Sequence, residues 1–242
     1  LIHSYATFSL TGSRRSGNED AVLTPVTDAG RMLLGVADGV GGTDRGETAS
    51  QCVRDRVSDT FLASPFASIE SYFEAAKEGV EQLFAEEPEG GSMATTLTLC
   101  VVELQTGFAY CGHVGDTRLY HLSGAGLVTR TTDQTEAQRL VDQGILRRDQ
   151  VRRYHRRNVL VSAIGPGRTY ELWKTHFTLT EGDRLLLCTD GFYETVSKKE
   201  IVGLSARASE VKDLAADLER LAVERSPSDD CSVVLLQYGI RR

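Results

Sequence analysis

The sequence predicts an α+β protein: a central antiparallel β-sandwich flanked by helices on both sides. Three observations predict it. Short apolar runs are ended by Gly, Asp and Ser, two of those runs lie almost end to end, and other segments carry apolar residues along one helical face. Six runs read as strands: 32–38, 94–104, 107–116, 117–122, 184–190 and 231–238. Only Gln105 and Thr106 separate the second run from the third. A parallel crossover needs far more chain, so this pair is an antiparallel hairpin. Helical spacing of apolar residues runs from Ala49 to Phe61, from Ile69 to Phe84 and from Val211 to Ala222. Continuous apolar strands need cover on both faces and one-faced helices need a sheet to lie on, which gives two packed sheets with helices outside. The polar region 131–169, helical where it reads EAQRLVDQG, projects as a flap insertion. No linker or repeat interrupts the chain, so 1–242 reads as a single domain.

Composition narrows the function classes. A hydrophobic content of 40% supports a real core, and a net charge of −7 argues against a general nucleic-acid binder. One local basic run, RRDQVRRYHRR at 147–157, reads first as a solvated face and second as a docking surface for acidic or phosphorylated partners. Cys52, Cys100, Cys111, Cys188 and Cys231 form no C-x-x-C pair, which indicates neither a disulfide framework nor a thiolate zinc site. That pattern fits a reducing, cytoplasmic setting. No apolar run approaches the ~20 residues of a membrane span, so no membrane partner is expected.

The stretch VADGVGGTDRGETAS, residues 36–50, resembles a phosphate-binding loop from Gly41 onward, but Glu47 stands where the lysine belongs. A carboxylate there repels nucleotide phosphates, so the nucleotide reading fails and Glu47 is better placed at a helix start. The informative pattern lies elsewhere. Single aspartates next to glycine close apolar strands at Asp38, Asp116 and Asp190, and further acids sit at Glu19, Asp20, Asp229 and Asp230. One such pair is an ordinary turn signal. Several together at the rim of a core repel one another, and two or more divalent cations resolve the repulsion. Oxygen ligands select Mg²⁺ or Mn²⁺. Arg15, three residues before Asn18, has two readings: a fork for a phosphate dianion, or a salt bridge to the acids beside it.

RSGNED, VADGVGG with GETAS, GGSMATTLTL, GHVGDTRLY, RNVLVSAIG, CTDGFYETVS and SDDCSVVLL occur in the order and at about the spacing seen in the metal-dependent protein phosphatases. The chain thus resembles the PPM, or protein phosphatase 2C, family over nearly its whole length, in particular the compact bacterial Ser/Thr phosphatases. The resemblance implies an α-β-β-α sandwich with two core Mn²⁺ or Mg²⁺ ions at one end. Asp38 would bridge them, with the Gly39 carbonyl, Asp190 and Asp229 as further ligands and Asp20 and Glu19 acting at close range through waters. Asp116 with Asp190 would hold a third, weaker ion, and Arg15 the substrate phosphate. Asp229 rather than Asp230 is the ligand candidate, because Asp230 stands where the family commonly has Asn.

The implied activity is in-line hydrolysis of phosphoserine and phosphothreonine by a water shared between the ions. Partners would be phosphorylated proteins, including a Ser/Thr kinase or its substrates, and the chain would act as a monomer. The alternative is a pseudophosphatase that keeps the fold as a binding module. Thr43 and Gln134 stand where relatives often carry His, and His113 and His155 read as structural. The proton donor to the leaving group is left unassigned.

Overall fold

In the computed structural model, which describes residues 2–40 and 45–240, ten strands form two five-stranded sheets. The chain runs β1 Ile2–Leu10, β2 Asp20–Asp28, β3 Arg31–Asp38, α1 Gly46–Ala63, α2 Ile69–Glu86, β4 Leu97–Glu103, β5 Phe108–Val114, β6 Arg118–Ser123 and β7 Gly126–Thr129. There follow α3 Glu136–Asp142, a 3-10 turn Arg148–Arg153, β8 Trp173–Thr178, β9 Arg184–Cys188, α4 Asp190–Thr195, α5 Lys198–Ser205, α6 Val211–Arg225 and β10 Cys231–Ile240. One sheet has the order β1-β10-β9-β6-β7 and the other β2-β3-β4-β5-β8, with every pairing antiparallel.

The period of two along each strand sorts side chains into layers. In β3, Met32, Leu34 and Val36 enter the core between the sheets, while Leu33 and Ala37 face α1 and α2. In β10, Val234 and Leu236 join the same inter-sheet core, while Val233 and Leu235 pack beneath α6. Helices therefore cover both outer faces of the sandwich, as the one-faced helical periods predict. No helix among the described residues is long and apolar enough to cross a membrane.

All six predicted strands are present within shifted limits, and α1, α2, α3 and α6 fall on the predicted helical segments. Two limits move an acid. The run 184–190 ends as a strand at Cys188, so Asp190 opens α4, and β5 ends at Val114, so Asp116 lies in the turn before β6. Four strands and two short helices lie outside the predicted elements. β1, β2, β7 and β8 each end a sheet, where one flank is unpaired and no continuous apolar run is required. β2 also carries Pro25 inside a register shift between Leu23 and Val26, an interruption that an edge strand tolerates.

The flap region 131–169 holds α3 and the 3-10 turn. An isolated bridge from Thr135 to Leu160 closes it on itself, and one from Ile164 to Thr95 returns it to the body. Thr135 caps α3 by accepting the Gln138 N–H, and Glu136 binds Tyr154 Oη and the Arg156 guanidinium.

Leu187 lies fully buried between the sheets, so Leu187→Ala should cost about 2–5 kcal/mol of unfolding free energy in urea titration. The exposed Val223→Ala should stay within about 0.5 kcal/mol.

Candidate active site

β2 and β3 carry their alternation to the end of the sandwich. There Asp20 pairs directly with Asp38 in register, on the face that Val22 and Val36 present to the inter-sheet core. Like charges opposite each other on neighbouring strands destabilise a sheet. The local backbone is pinned all the same. Asp38 N–H donates to Thr96 Oγ1 at 2.9 Å, and its carbonyl accepts from Thr96 N–H and Thr95 Oγ1, each at 2.9 Å. Gly39 N–H donates to the Glu19 carbonyl at 3.0 Å, and Ser50 of α1 donates to that same carbonyl at 2.6 Å.

Two glycines permit this crowding. A Cβ on Gly39 would lie 2.5 Å from the Gly46 backbone at the start of α1, and one on Gly191 would lie 2.2 Å from the Asp230 carbonyl. Residues 41–44, which include Gly42 and Thr43, lie outside the described residues. Glu47 is in the first turn of α1, as expected.

Burial and mutual repulsion raise the carboxyl pKa values. Asp20 is pushed up to about 8, chiefly by burial and then by Asp230 and Asp190, against hydrogen bonds that favour its anion. Asp190 is pushed up to about 7 by burial, Asp229 and Glu194. Asp38 is raised by burial and by Asp20, Asp190, Asp116 and Asp229, and Asp116 by burial, Asp190 and Asp133. The same acids that burial disfavours thus face one another at one end of the molecule.

Their side chains are turned onto protein groups. Asp20 Oδ2 accepts from Thr189 Oγ1 at 2.8 Å, whereas its buried Oδ1 has no hydrogen-bond partner among the described residues. Asp229 Oδ1 takes Arg15 Nε at 2.6 Å and Glu19 Oε2 takes Arg15 Nη1 at 2.8 Å. Of the two predicted readings of Arg15, the salt bridge to the neighbouring acids is present. Among the described residues no group of three or more His, Cys, Asp or Glu side chains is drawn together tightly enough to hold an ion as it stands. The donor chemistry nevertheless fits hard divalent cations: the set is all oxygen, and one buried carboxylate oxygen is unpartnered.

Several positioning residues escape a reading by sequence. Buried Asp230 accepts Gly12 N–H on Oδ1 and Glu19 N–H on Oδ2, each at 2.8 Å, and so staples both ends of the loop that carries Arg15. Thr189 joins Asp20 to the Ser232 N–H. Arg118 forks onto Asp133 at 2.9 and 2.6 Å with its guanidinium 3.5 Å above the Tyr193 ring. Gln134 accepts the Gly115 N–H and donates to the Glu171 carbonyl, each at 2.8 Å, which fixes the turn that bears Asp116. Such partners are distant in sequence and leave no local signal. His113 is fully buried, bonded to Thr98 Oγ1 and the Thr132 carbonyl, with burial lowering its pKa to about 4. His155 is exposed beside Tyr154 on the flap.

Residues 12–222 match the family described as protein phosphatase 2C, and the chain belongs to that family. It is 32% identical over 240 residues to the serine/threonine protein phosphatase PstP of Mycobacterium tuberculosis, covering 97% of this chain but only 45% of that relative. It spans about half the length of that relative. To protein phosphatase PhpP of Streptococcus pneumoniae it is 25% identical over 235 residues, covering 94% of each. Among solved structures it resembles the catalytic domain of PstP in complex with two manganese ions, with a TM-score of 0.82, 30% identity, and 98% and 99% of the two chains covered.

Two predictions follow the electrostatics. The raised carboxyl pKa values mean that the folded state holds protons the unfolded chain has released, so their stabilising contribution is complete near pH 4 and is lost as pH rises through about 7 to 8. With chelator present, the urea midpoint should therefore rise as pH falls from about 8 to 5, and Asp38→Asn should raise and flatten that profile. His113 opposes this trend, because its lowered pKa removes stability as pH falls from about 6.5 towards 4. Separately, Asp230→Ala should cost about 1–3 kcal/mol for each N–H it strands, read by thermal unfolding.

Proposed function

We propose that the chain is a metal-dependent protein serine/threonine phosphatase. The observation that carries the reading is a set of buried, mutually opposed carboxylates, with Asp20 Oδ1 unpartnered, facing Arg15 at the end of a protein phosphatase 2C sandwich. Asp38, the Gly39 carbonyl, Asp190 and Asp229 would hold two Mn²⁺ or Mg²⁺ ions, with Asp20 and Glu19 beside them. Asp116 and Asp190 would hold a third. The two manganese ions in the PstP structure support the same class of cation here. When bound, such ions neutralise the acids and supply a water acidic enough to attack a phosphoryl group at neutral pH.

Arg15 then divides its work. Its guanidinium donates to Asp229 through Nε and to Glu19 through Nη1, and the same fork is suited to a phosphate dianion. Neither nitrogen of His113 is free to protonate the leaving hydroxyl, since both are bonded inside the core. Substrates are proposed to be phosphorylated proteins, among them a Ser/Thr kinase or its targets, and the protein to act as a monomer.

Hydrolysis of a phosphothreonine peptide should require added Mn²⁺ or Mg²⁺ and stop with chelator; metal-independent turnover would sink the reading. Arg15→Ala should raise KM about tenfold or more, the equivalent of ~1.4 kcal/mol, and should lower the metal concentration needed for half-saturation by removing a cation from beside the acids. An unchanged KM would reassign Arg15 to holding Asp229 and Glu19 alone.

A further inference from the structure

The basic run on the flap is only partly neutralised. Of its six arginines, Arg147 pairs with Asp149, Arg156 with Glu136, and Arg157 with Glu194 of α4 at 3.4 Å. Arg148, Arg152 and Arg153 are exposed and, among the described residues, have no acidic partner. These three charges sit on a chain whose net charge is −7, so they form a local exception to its field.

Their position ties them to the site. Arg157 ends the basic run and is paired to α4, the helix that Asp190 opens. The next residue, Asn158, lines a cavity of about 630 Å³ together with Val40, Val159, Val161 and Arg168. Val40 directly follows Gly39, so the cavity joins the chain beside Asp38 to the flap residues that follow the basic run. Val159 and Val161 are 37% and 43% exposed, apolar surface of the kind that side chains of an extended peptide cover.

We infer that the 3-10 turn Arg148–Arg153 is a docking surface for an acidic or multiply phosphorylated segment flanking the phosphoresidue of the substrate. The inference rests on the phosphatase reading above and names the substrate class it favours. Arg156 is engaged by Glu136 within the flap and Arg157 by Glu194 of α4, which leaves Arg148, Arg152 and Arg153 as the recognising charges. A polyanion such as nucleic acid fits less well: the overall negative charge opposes its approach, the adjoining wall is apolar, and Tyr154 is bonded to Glu136 rather than free to stack.

The test compares phosphothreonine peptides of one length whose flanks are neutral, acidic on the N-terminal side, or acidic on the C-terminal side, assayed with Mn²⁺. Wild-type protein should show a lower KM for one acidic peptide than for the neutral one, with the difference shrinking as salt rises. The triple variant Arg148→Gln, Arg152→Gln, Arg153→Gln should raise the KM of that acidic peptide about tenfold while kcat and the neutral peptide move little. Fluorescence anisotropy of the labelled acidic peptide in chelator should show the same loss of affinity. Equal KM values for all three peptides in the wild type, or no change in the triple variant, overturn the inference while leaving the phosphatase reading intact. Retention on nucleic acid that the triple variant loses, without any acidic preference in the peptide assay, overturns it in favour of a polynucleotide. Hydrolysis of p-nitrophenyl phosphate with none of the peptides turned over rejects the protein substrate, and the docking surface with it.

Discussion

The pairing of Asp20 with Asp38 across β2 and β3 is the constraint on which the rest of the site depends. Antiparallel register puts two carboxylates opposite each other, and alternation turns both toward the interior of the sandwich. The core beneath them excludes the water that would otherwise screen their repulsion. Each neighbouring feature is a response to that placement. Thr189 donates to one Asp20 oxygen, Thr95 and Thr96 fix the Asp38 backbone, and Arg15 draws Asp229 and Glu19 aside. Repulsion of this kind is tolerated only where surrounding packing over-determines the backbone, and here it is the inter-sheet core and α1 that do so.

Two neighbouring acids show how environment separates roles. Asp229 and Asp230 are adjacent and chemically identical, yet Asp230 is almost fully buried with both oxygens committed to main-chain N–H groups, while the Asp229 side chain is 39% exposed and meets Arg15. A carboxylate whose oxygens are both occupied by backbone donors stabilises a loop. One that meets a guanidinium at the part-exposed rim joins two side chains instead. The sequence distinguished them only through the resemblance to relatives with Asn at the second position, whereas the hydrogen bonds supply the physical reason.

Much of the fold was legible because burial writes itself into periodicity. Strands in the interior of each sheet, such as β3, β4, β9 and β10, are covered on both faces and read as unbroken apolar runs. The edge strands were not legible for the same reason: in β8 only Phe177 is buried, so the run carries no apolar signal. The candidate acids could be picked out because strand ends and glycines bracket them. Their supports could not. Gln134 and Glu171, Arg118 and Asp133, and Thr189 and Asp20 are brought together by tertiary structure alone.

Those hidden supports link the flap to the acids, and the linkage bears on how substrate choice and chemistry are joined. Asp133 and Gln134 begin the flap. Asp133 is held by Arg118 at the start of β6, and Gln134 bonds the Gly115 main chain through both its side chain and its own N–H. Asp116 lies between Gly115 and Arg118's strand, so any shift at the base of the flap moves an acid of the cluster. Further along the flap, Arg157 meets Glu194, a residue of the helix that Asp190 opens and one whose charge raises the Asp190 pKa. A ligand that neutralised the flap arginines would act on a segment that contacts the surroundings of Asp116 through Gln134 and the Asp190 helix through Arg157. Under the docking proposal, recognition of the substrate flank would reach the acids through these named contacts rather than through the body of the sandwich.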